Sequence, residues 1–332
     1  MKPGKIILVS FLLIAAGIFA YFFIGTAPQD TKIAWGVNFS QKHTELLKLD
    51  WKETYSAILN DLKVKNLKIL VSWDWIESKK DKPNFDDLDW QIKEAGDYQA
   101  KVILVIGMKT GRWPECHIPD WAKDLNREDL QNSVLNYLKE IIPHYKDSDA
   151  IWAWQVENEP FFTFGVCPKT DKDFLKKEID LVKSLDDKKR PVIVSDSGES
   201  SLWLKAASLG DILGITMYRK TNNKILGVVN YPLPPVFYWR KAQIIKNFFH
   251  KEVFVGELQA EPWGKVLLYD SPVSEQKLTM NLDQFKKNIA YAQKTGFKDF
   301  YLWGSEWWYW VKTTPKDSSI WDEARKLFVI PN

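Results

Sequence analysis

The chain has 332 residues, 45% of them hydrophobic and 27% charged, which excludes a disordered or collagen-like polymer and allows a large buried core. Lys+Arg 46 against Asp+Glu 43 leaves a net charge of only +3, with no basic block to mark a nucleic-acid partner. Two cysteines and four scattered histidines, with no HExxH and no Cys-x-x-Cys, exclude a disulfide-rich scaffold and point to no metal and no cofactor. The 17 tryptophans are the unusual feature.

The chain opens with the apolar run IILVSFLLIAAGIFAYFFI, Ile6 to Ile24. As a helix rising about 1.5 Å per residue it nearly spans a hydrocarbon layer about 30 Å thick. Lys2 and Lys5 precede it, which keeps the N-terminus cytoplasmic and exports the rest from about Thr31 onward. A cleaved signal peptide competes, because Gly25-Thr26-Ala27 supplies small residues. Against it, the apolar run is longer than usual and ends in bulky Tyr21-Phe22-Phe23. The reading therefore divides the chain into a signal-anchor or transmembrane helix (1–25), a short linker (26–32) and one domain (33–332). That domain is membrane-anchored and extracytoplasmic, or secreted if the anchor is cleaved.

Eight short apolar, β-branched runs follow: Ile33–Phe39, Lys68–Trp73, Lys101–Gly107, Ile151–Glu157, Pro191–Asp196, Asp211–Met217, Glu252–Glu257 and Asp299–Gly304. Between them lie stretches with helical spacing, such as Leu130, Val134, Leu138, Ile141 and Phe174, Leu175, Ile179, Val182. Strand alternating with helix implies parallel pairing, and eight such units imply an α/β protein with a closed (β/α)₈ TIM barrel. An open doubly wound sheet is the rival. It normally carries a glycine-rich phosphate turn after the first strand, and Gly36-Val37-Asn38-Phe39-Ser40 is not one.

A barrel of this kind places its chemistry at the C-terminal ends of the strands. The fourth run ends in Asn158-Glu159-Pro160, and the seventh, VFVGELQAEPW, ends at Glu257. Alternation puts Val253, Val255 and Glu257 on one face and Phe254 and Gly256 on the other. With valine inward and phenylalanine outward, Glu257 stands over the barrel mouth, across from the fourth strand. Two carboxylates flanking one bond suit a retaining glycosidase, one protonated and one ionised.

On these motifs the chain resembles the clan A glycoside hydrolases, which include family 5 cellulases and mannanases and families 39, 42 and 53. The resemblance covers about residues 33–328. It implies that Glu159 is the acid/base, that Glu257 is the nucleophile, and that Asn158 binds the sugar 2-hydroxyl. It implies further that Tyr218, in Ile215-Thr216-Met217-Tyr218, orients the nucleophile, and that Trp303, in Tyr301-Leu302-Trp303-Gly304, floors the sugar subsite. Two departures stand out. Lys68 occupies the place of an Arg on the second strand, keeping the charge without the planar fork. Gly107-Met108 stands where many members carry a His, leaving Lys109, Arg112 or His117 as substitutes.

Other residues are ranked around this pair. Glu157 reads as a supporting or surface carboxylate; Glu261, Glu306 and Glu199 read as loop acids with a chance of touching sugar. Trp73, Trp113 and Trp263 are expected to bind substrate. With Trp75, Trp307 and Trp308 they crowd the predicted catalytic face, where sugar C–H faces stack on aromatic rings; about half of this group is expected to be packing. Trp51, Trp90, Trp121, Trp203 and Trp321 fall at helical positions and read as core. Cys116 and Cys167 follow adjacent strands, so either a disulfide across the rim or two free thiols fits. The expected function is a retaining β-glycosidase acting on an oligo- or polysaccharide and tethered to a membrane. A non-catalytic glycan receptor on the same barrel and a transglycosylase are the alternatives.

Overall fold

A computed structural model of the chain describes residues 3–29 and 32–329; Lys2 and Thr31, which enter the reading above, lie outside the described residues. Among the described residues, ten strands follow the N-terminal helix. They are β1 (Ala34–Phe39), β2 (Asn66–Leu70), β3 (Lys101–Ile106), β4 (Ile151–Val156), β5 (Val192–Asp196), β6 (Ile212–Met217), β7 (Lys220–Asn223), β8 (Gly227–Asn230), β9 (Glu252–Gln259) and β10 (Asp299–Trp303). Eight of them close a barrel, with β6 pairing β9 and β10 returning to β1. Every barrel pairing is parallel.

The eight apolar runs are these eight strands. One run is displaced: the second strand is Asn66–Leu70 and not Lys68–Trp73, because Ser72 starts a short helix over Trp73–Ile76. The β7–β8 hairpin is an antiparallel insertion before the seventh barrel strand. Its sequences, KTNN and GVVN, are too short and too polar to register as apolar runs.

The helices form because apolar residues recur at helical spacing and their first turns are capped. Asn126 and Asp171 accept from the backbone N–H of Asp129 and Phe174, opening helices Arg127–Tyr145 and Lys172–Leu185. Their buried faces include Leu130, Val134, Leu138 and Ile141 on one, Phe174, Leu175, Ile179 and Val182 on the other. Alternate strand residues such as Leu67, Ile69, Leu104, Val194 and Ile215 pack outward against this helical layer.

The inward-facing residues make a separate stack. Ile103, Ala153, Ile193, Phe254 and Tyr301 fill the lower barrel, with Trp152 and Ile212 against them. Above them the interior turns polar, with Asn38, Lys68, Gln155, Ser195, Thr216 and Glu257 all buried. This arrangement corrects the expected orientation of the seventh strand: Phe254 points into the barrel and Val255 points out to the helices. Strict alternation would then turn Glu257 outward. A β-bulge prevents it. Ile215 pairs with Val255, but the next residue, Thr216, pairs with Glu257, so Gly256 is one residue too many. The same shift appears against β10, where Phe300 pairs with Val255 and Leu302 with Leu258. The side chain of Asn38 donates to the Gly256 carbonyl at 3.0 Å, satisfying backbone that the bulge leaves off the ladder.

The N-terminal helix, Pro3–Phe23, is apolar and long enough to cross a membrane over Gly4–Phe23. It is exposed along most of its length, and only its end meets the barrel, where Phe22 and Phe23 lie 5.8 and 5.6 Å from the Phe237 ring.

Candidate active site

Glu157, Asn158 and Glu159 follow β4 directly. Glu157 and Glu159 have φ values of 58° and 43°, a left-handed conformation that costs free energy in a non-glycine residue and persists only where surroundings enforce it. Those surroundings are visible. The buried Glu157 carboxylate accepts the backbone N–H of Met108 at 2.7 Å and of Lys109 at 2.5 Å, tying the ends of β3 and β4 together. Gly107, at φ +115°, makes this possible, since a Cβ there would come within 2.4 Å of the Glu157 carboxylate. A histidine at this place would therefore collide. Glu157 is thus a buried strut.

Asn158 accepts from Gln155 at 3.1 Å and from the Ser195 hydroxyl at 3.3 Å through its amide oxygen, so its amide NH₂ is the end left for a ligand. The Glu159 N–H donates to Ser195 Oγ at 2.8 Å. The Glu159 carboxyl meets the Thr216 hydroxyl at 3.3 Å. Thr216 in turn pairs in register with Glu257, so the ends of β4, β6 and β9 bring Glu159 and Glu257 to the same part of the rim. The bulge places Glu257 here at the sixth of eight positions in β9, two residues before the strand ends, not at its last position as expected.

The two carboxyls sit in opposite surroundings. Glu257 accepts the Lys68 ammonium at 3.2 Å on one oxygen and the Tyr218 hydroxyl at 3.0 Å on the other. Each Glu257 oxygen therefore has its own donor. Among the described residues no ion pair reaches Glu159, though the Lys109 charge lies near enough to act on it. Burial, then the like charge of Glu257, holds its pKa well above the usual carboxylate range. One carboxyl thus faces burial and a like charge, the other an ammonium and a hydroxyl.

The three residues weighed as replacements for the missing histidine are all buried at this rim. Lys109 donates to the backbone carbonyls of Glu159 and Phe162 at 3.0 and 2.7 Å, bracing the loop that carries Glu159. His117 bonds the Gly111 carbonyl at 2.8 Å. Arg112 lies over the Trp303 ring, 4.2 Å from its centroid, and pairs with Glu261 and, at 3.1 Å, with Glu306. Burial outweighs that pairing for Glu261 and pushes its pKa up to about 7. His43, 3.8 Å from Glu261, is held well below its ordinary value by burial and by Arg112, so this contact is not an ion pair at neutral pH. Glu199 accepts the N–H of Tyr218 at 2.7 Å and the Tyr238 hydroxyl at 2.7 Å, and burial lifts its pKa to about 7.

Beside this cluster opens a cavity of about 530 Å³ whose wall includes Trp113, Glu115, Phe164, Trp263, Tyr269 and Trp303. The cavity stops short of the carboxylate pair; Trp263, in edge contact with Tyr218 at 5.0 Å, continues the wall toward Glu257. Trp113 is 43% exposed and Trp263 half-buried, so both present surface to a ligand. Trp73 does not, which corrects the expectation for it. It is wholly buried, donates to Glu77 at 2.8 Å and stacks on Tyr137, because the second strand ends before it. Trp307 and Trp308 are buried too, donating to Gln276 and the Ala260 carbonyl, whereas Trp75 is exposed. Cys116 and Cys167 are joined in a disulfide, with Cα atoms 5.3 Å apart, which pins the loop after β3 to the loop after β4.

Sequence reasoning missed Thr216, Ser195 and Glu115. Thr216 lies two residues before Tyr218, so alternation along the sixth strand held a usable signal. Glu115 lies in a loop without periodicity and carried none.

No protein-family model and no curated protein matches the chain. Solved structures do. The chain is similar to a glycosylated GH10 endo-β-1,4-xylanase from Gloeophyllum trabeum at 17% identity, covering 86% of this chain and 87% of that one with a TM-score of 0.53. It is similar to xylanase 10B from Thermotoga maritima at 15% identity, covering 89% and 95% with a TM-score of 0.58. A GH5_18 protein from Bifidobacterium longum, in a variant solved with Manβ1-4GlcNAc, matches at 12% identity over 82% of this chain and 68% of that one, with a TM-score of 0.59. The chain therefore has the eight-stranded parallel barrel fold of these glycoside hydrolases.

Proposed function

We propose that the protein is a retaining β-glycosidase. One observation carries the reading: two buried carboxyls meet at one rim of the barrel, Glu159 kept protonated by burial and by its neighbour, Glu257 embraced by Lys68 and Tyr218. Glu159 donates its proton to the leaving glycosidic oxygen while Glu257 attacks the anomeric carbon and forms a glycosyl ester. With its proton gone, Glu159 takes one from water, which opens the ester and restores both groups. Asn158 holds the 2-hydroxyl through its amide NH₂, and Trp303 floors the reacting sugar. Trp113 and Trp263 extend the stacking surface to further rings, which favours an oligo- or polysaccharide.

Residues 33–332 form the catalytic domain, joined by the linker 26–32 to a helix that anchors it outside the cytoplasm. The length and apolar character of Gly4–Phe23, with Lys5 in its first turn, support this, as does a disulfide suited to an oxidising compartment.

The deciding experiment is Glu257→Ala in the full chain. Hydrolysis of aryl glycosides falls by about 10⁴-fold or more, and azide restores turnover by occupying the vacated position. A 2-fluoro glycoside labels Glu257 in the unaltered protein. Undiminished turnover in the variant overturns the assignment.

A further inference from the structure

The barrel mouth holds more carboxyls than the proposed chemistry uses. Lys68 is engaged by Glu257, Arg112 by Glu261 and Glu306, and Lys109 by two backbone carbonyls. Glu159 has its role as acid. Glu115 is left over. It is only 7% exposed, yet its side chain lines the cavity, and among the described residues no hydrogen bond or ion pair reaches its carboxyl, on which the charges of Lys109, Arg112 and Lys68 act only at longer range.

Its placement is enforced from several sides. Glu115 has φ 76°, its N–H donates to the Arg112 carbonyl at 2.5 Å, and its own carbonyl accepts Thr110 N–H at 3.1 Å. The next residue, Cys116, is fixed to Cys167. Gly165 is cut away to admit it, since a Cβ there would come within 2.5 Å of the Glu115 Cβ. A strained residue held this firmly points to a ligand contact more than to a packing accident.

Burying a carboxyl without a partner is unfavourable, and a cation offsets that cost better than a hydroxyl does. Glu115 relieves the cost by keeping its proton, with burial pushing its pKa up to about 8. The neighbouring wall also suits a cation. Trp113, Phe164 and Trp263 form an aromatic series, with Phe164 lying 6.5 Å from Trp113 and 5.6 Å from Trp263, and aromatic faces attract ammonium groups. Among the described residues no three acidic, histidine or cysteine side chains converge closely enough to hold a metal ion, so the geometry favours a cation carried on the substrate.

We propose that Glu115 and the Trp113–Phe164–Trp263 wall form a subsite for a sugar bearing a free amino group, so that the glycan this protein acts on contains de-N-acetylated hexosamine. The turnover part rests on the glycosidase reading; the binding part does not. On binding, the ammonium sits between the Glu115 carboxylate and the aromatic faces, and the Glu115 proton passes to solvent.

The test is calorimetric titration of the full chain in detergent with a β-1,4-linked glucosamine tetramer, its fully N-acetylated counterpart and cellotetraose. The glucosamine tetramer is expected to bind at least about 10-fold more tightly than the other two, in line with one charge-assisted contact. Glu115→Gln, equal in shape, is expected to erase the preference, and Glu115→Asp to retain part of it. Equal affinities in the unaltered protein overturn the proposal, as does a preference that survives Glu115→Gln. Binding preference without any hydrolysis by the unaltered protein would instead sink the glycosidase reading and leave this subsite standing. Hydrolysis of neutral oligosaccharides with no amino-sugar preference would do the reverse.

Discussion

The floor and the mouth of this barrel are built from the same strands, only two or three residues apart, and they obey different rules. At the floor, Ile103, Ala153, Ile193, Phe254 and Tyr301 interlock without a charged group among them. Moving up the same strands, Ala153 gives way to Gln155, Ile193 to Ser195 and Phe254 to Glu257, each buried and each hydrogen-bonded. The floor needs volume and shape. The mouth needs directed partners, because a buried polar group without one is costly. The bulge at Gly256 is the junction between the two regimes. It lets one strand present Phe254 below and Glu257 above on the same inner face, with Asn38 satisfying the displaced backbone.

That contrast predicts separable failures. The largest is expected at the mouth: Glu159→Gln should lower kcat on glycosides with poor leaving groups by about 10²–10⁴-fold, with much less effect on activated aryl glycosides. The raised Glu159 pKa means that the acid form persists above the ordinary carboxyl range, so activity in the unaltered protein falls as pH rises through that value. In the variant this basic limb should vanish from the kcat/KM profile; a basic limb that persists assigns the acid elsewhere. Next comes the floor: Phe254→Ala should cost about 3–5 kcal/mol of unfolding free energy by denaturant titration. Its kcat, measured well below the unfolding transition, should change little. A loss of kcat with stability intact would erase the distinction between the two regions.

A smaller effect is expected for Tyr218→Phe, which removes one charge-assisted hydrogen bond from Glu257. A drop in kcat of about 10-fold or somewhat more follows, without a comparable loss of stability. The last concerns pH and stability. Folded Glu115 keeps its proton up to about 8, whereas its ordinary value is 4.5. Between those values the folded state binds more protons than the unfolded state, so stability falls as pH rises. Glu115→Gln should therefore melt above the unaltered protein at pH 8 and alongside it at pH 4, as read by thermal unfolding. Identical melting at both pH values would mean that Glu115 ionises freely in the fold.

Much of the architecture was legible in the amino-acid order, because the strands are short apolar runs and the helices carry spaced apolar faces. Neither signal depends on distant neighbours. Asn158-Glu159-Pro160 was legible as following the fourth strand for the same reason, whereas the seventh strand runs two residues past Glu257. The second strand was placed late because Val71, Ser72 and Trp73 continue its apolar run, although their backbone turns into a helix. The inward face of β9 was misjudged because alternation is a local rule, and a bulge is set by register against two neighbouring strands. Local order thus determined which segments become strands and helices and how many close the barrel. Only tertiary structure decided that Glu257 turns inward, that Trp73 is core, that Cys116 meets Cys167, and that Glu115 lines the cleft. Those outcomes depend on contacts between residues far apart in sequence, whose geometry no single segment encodes.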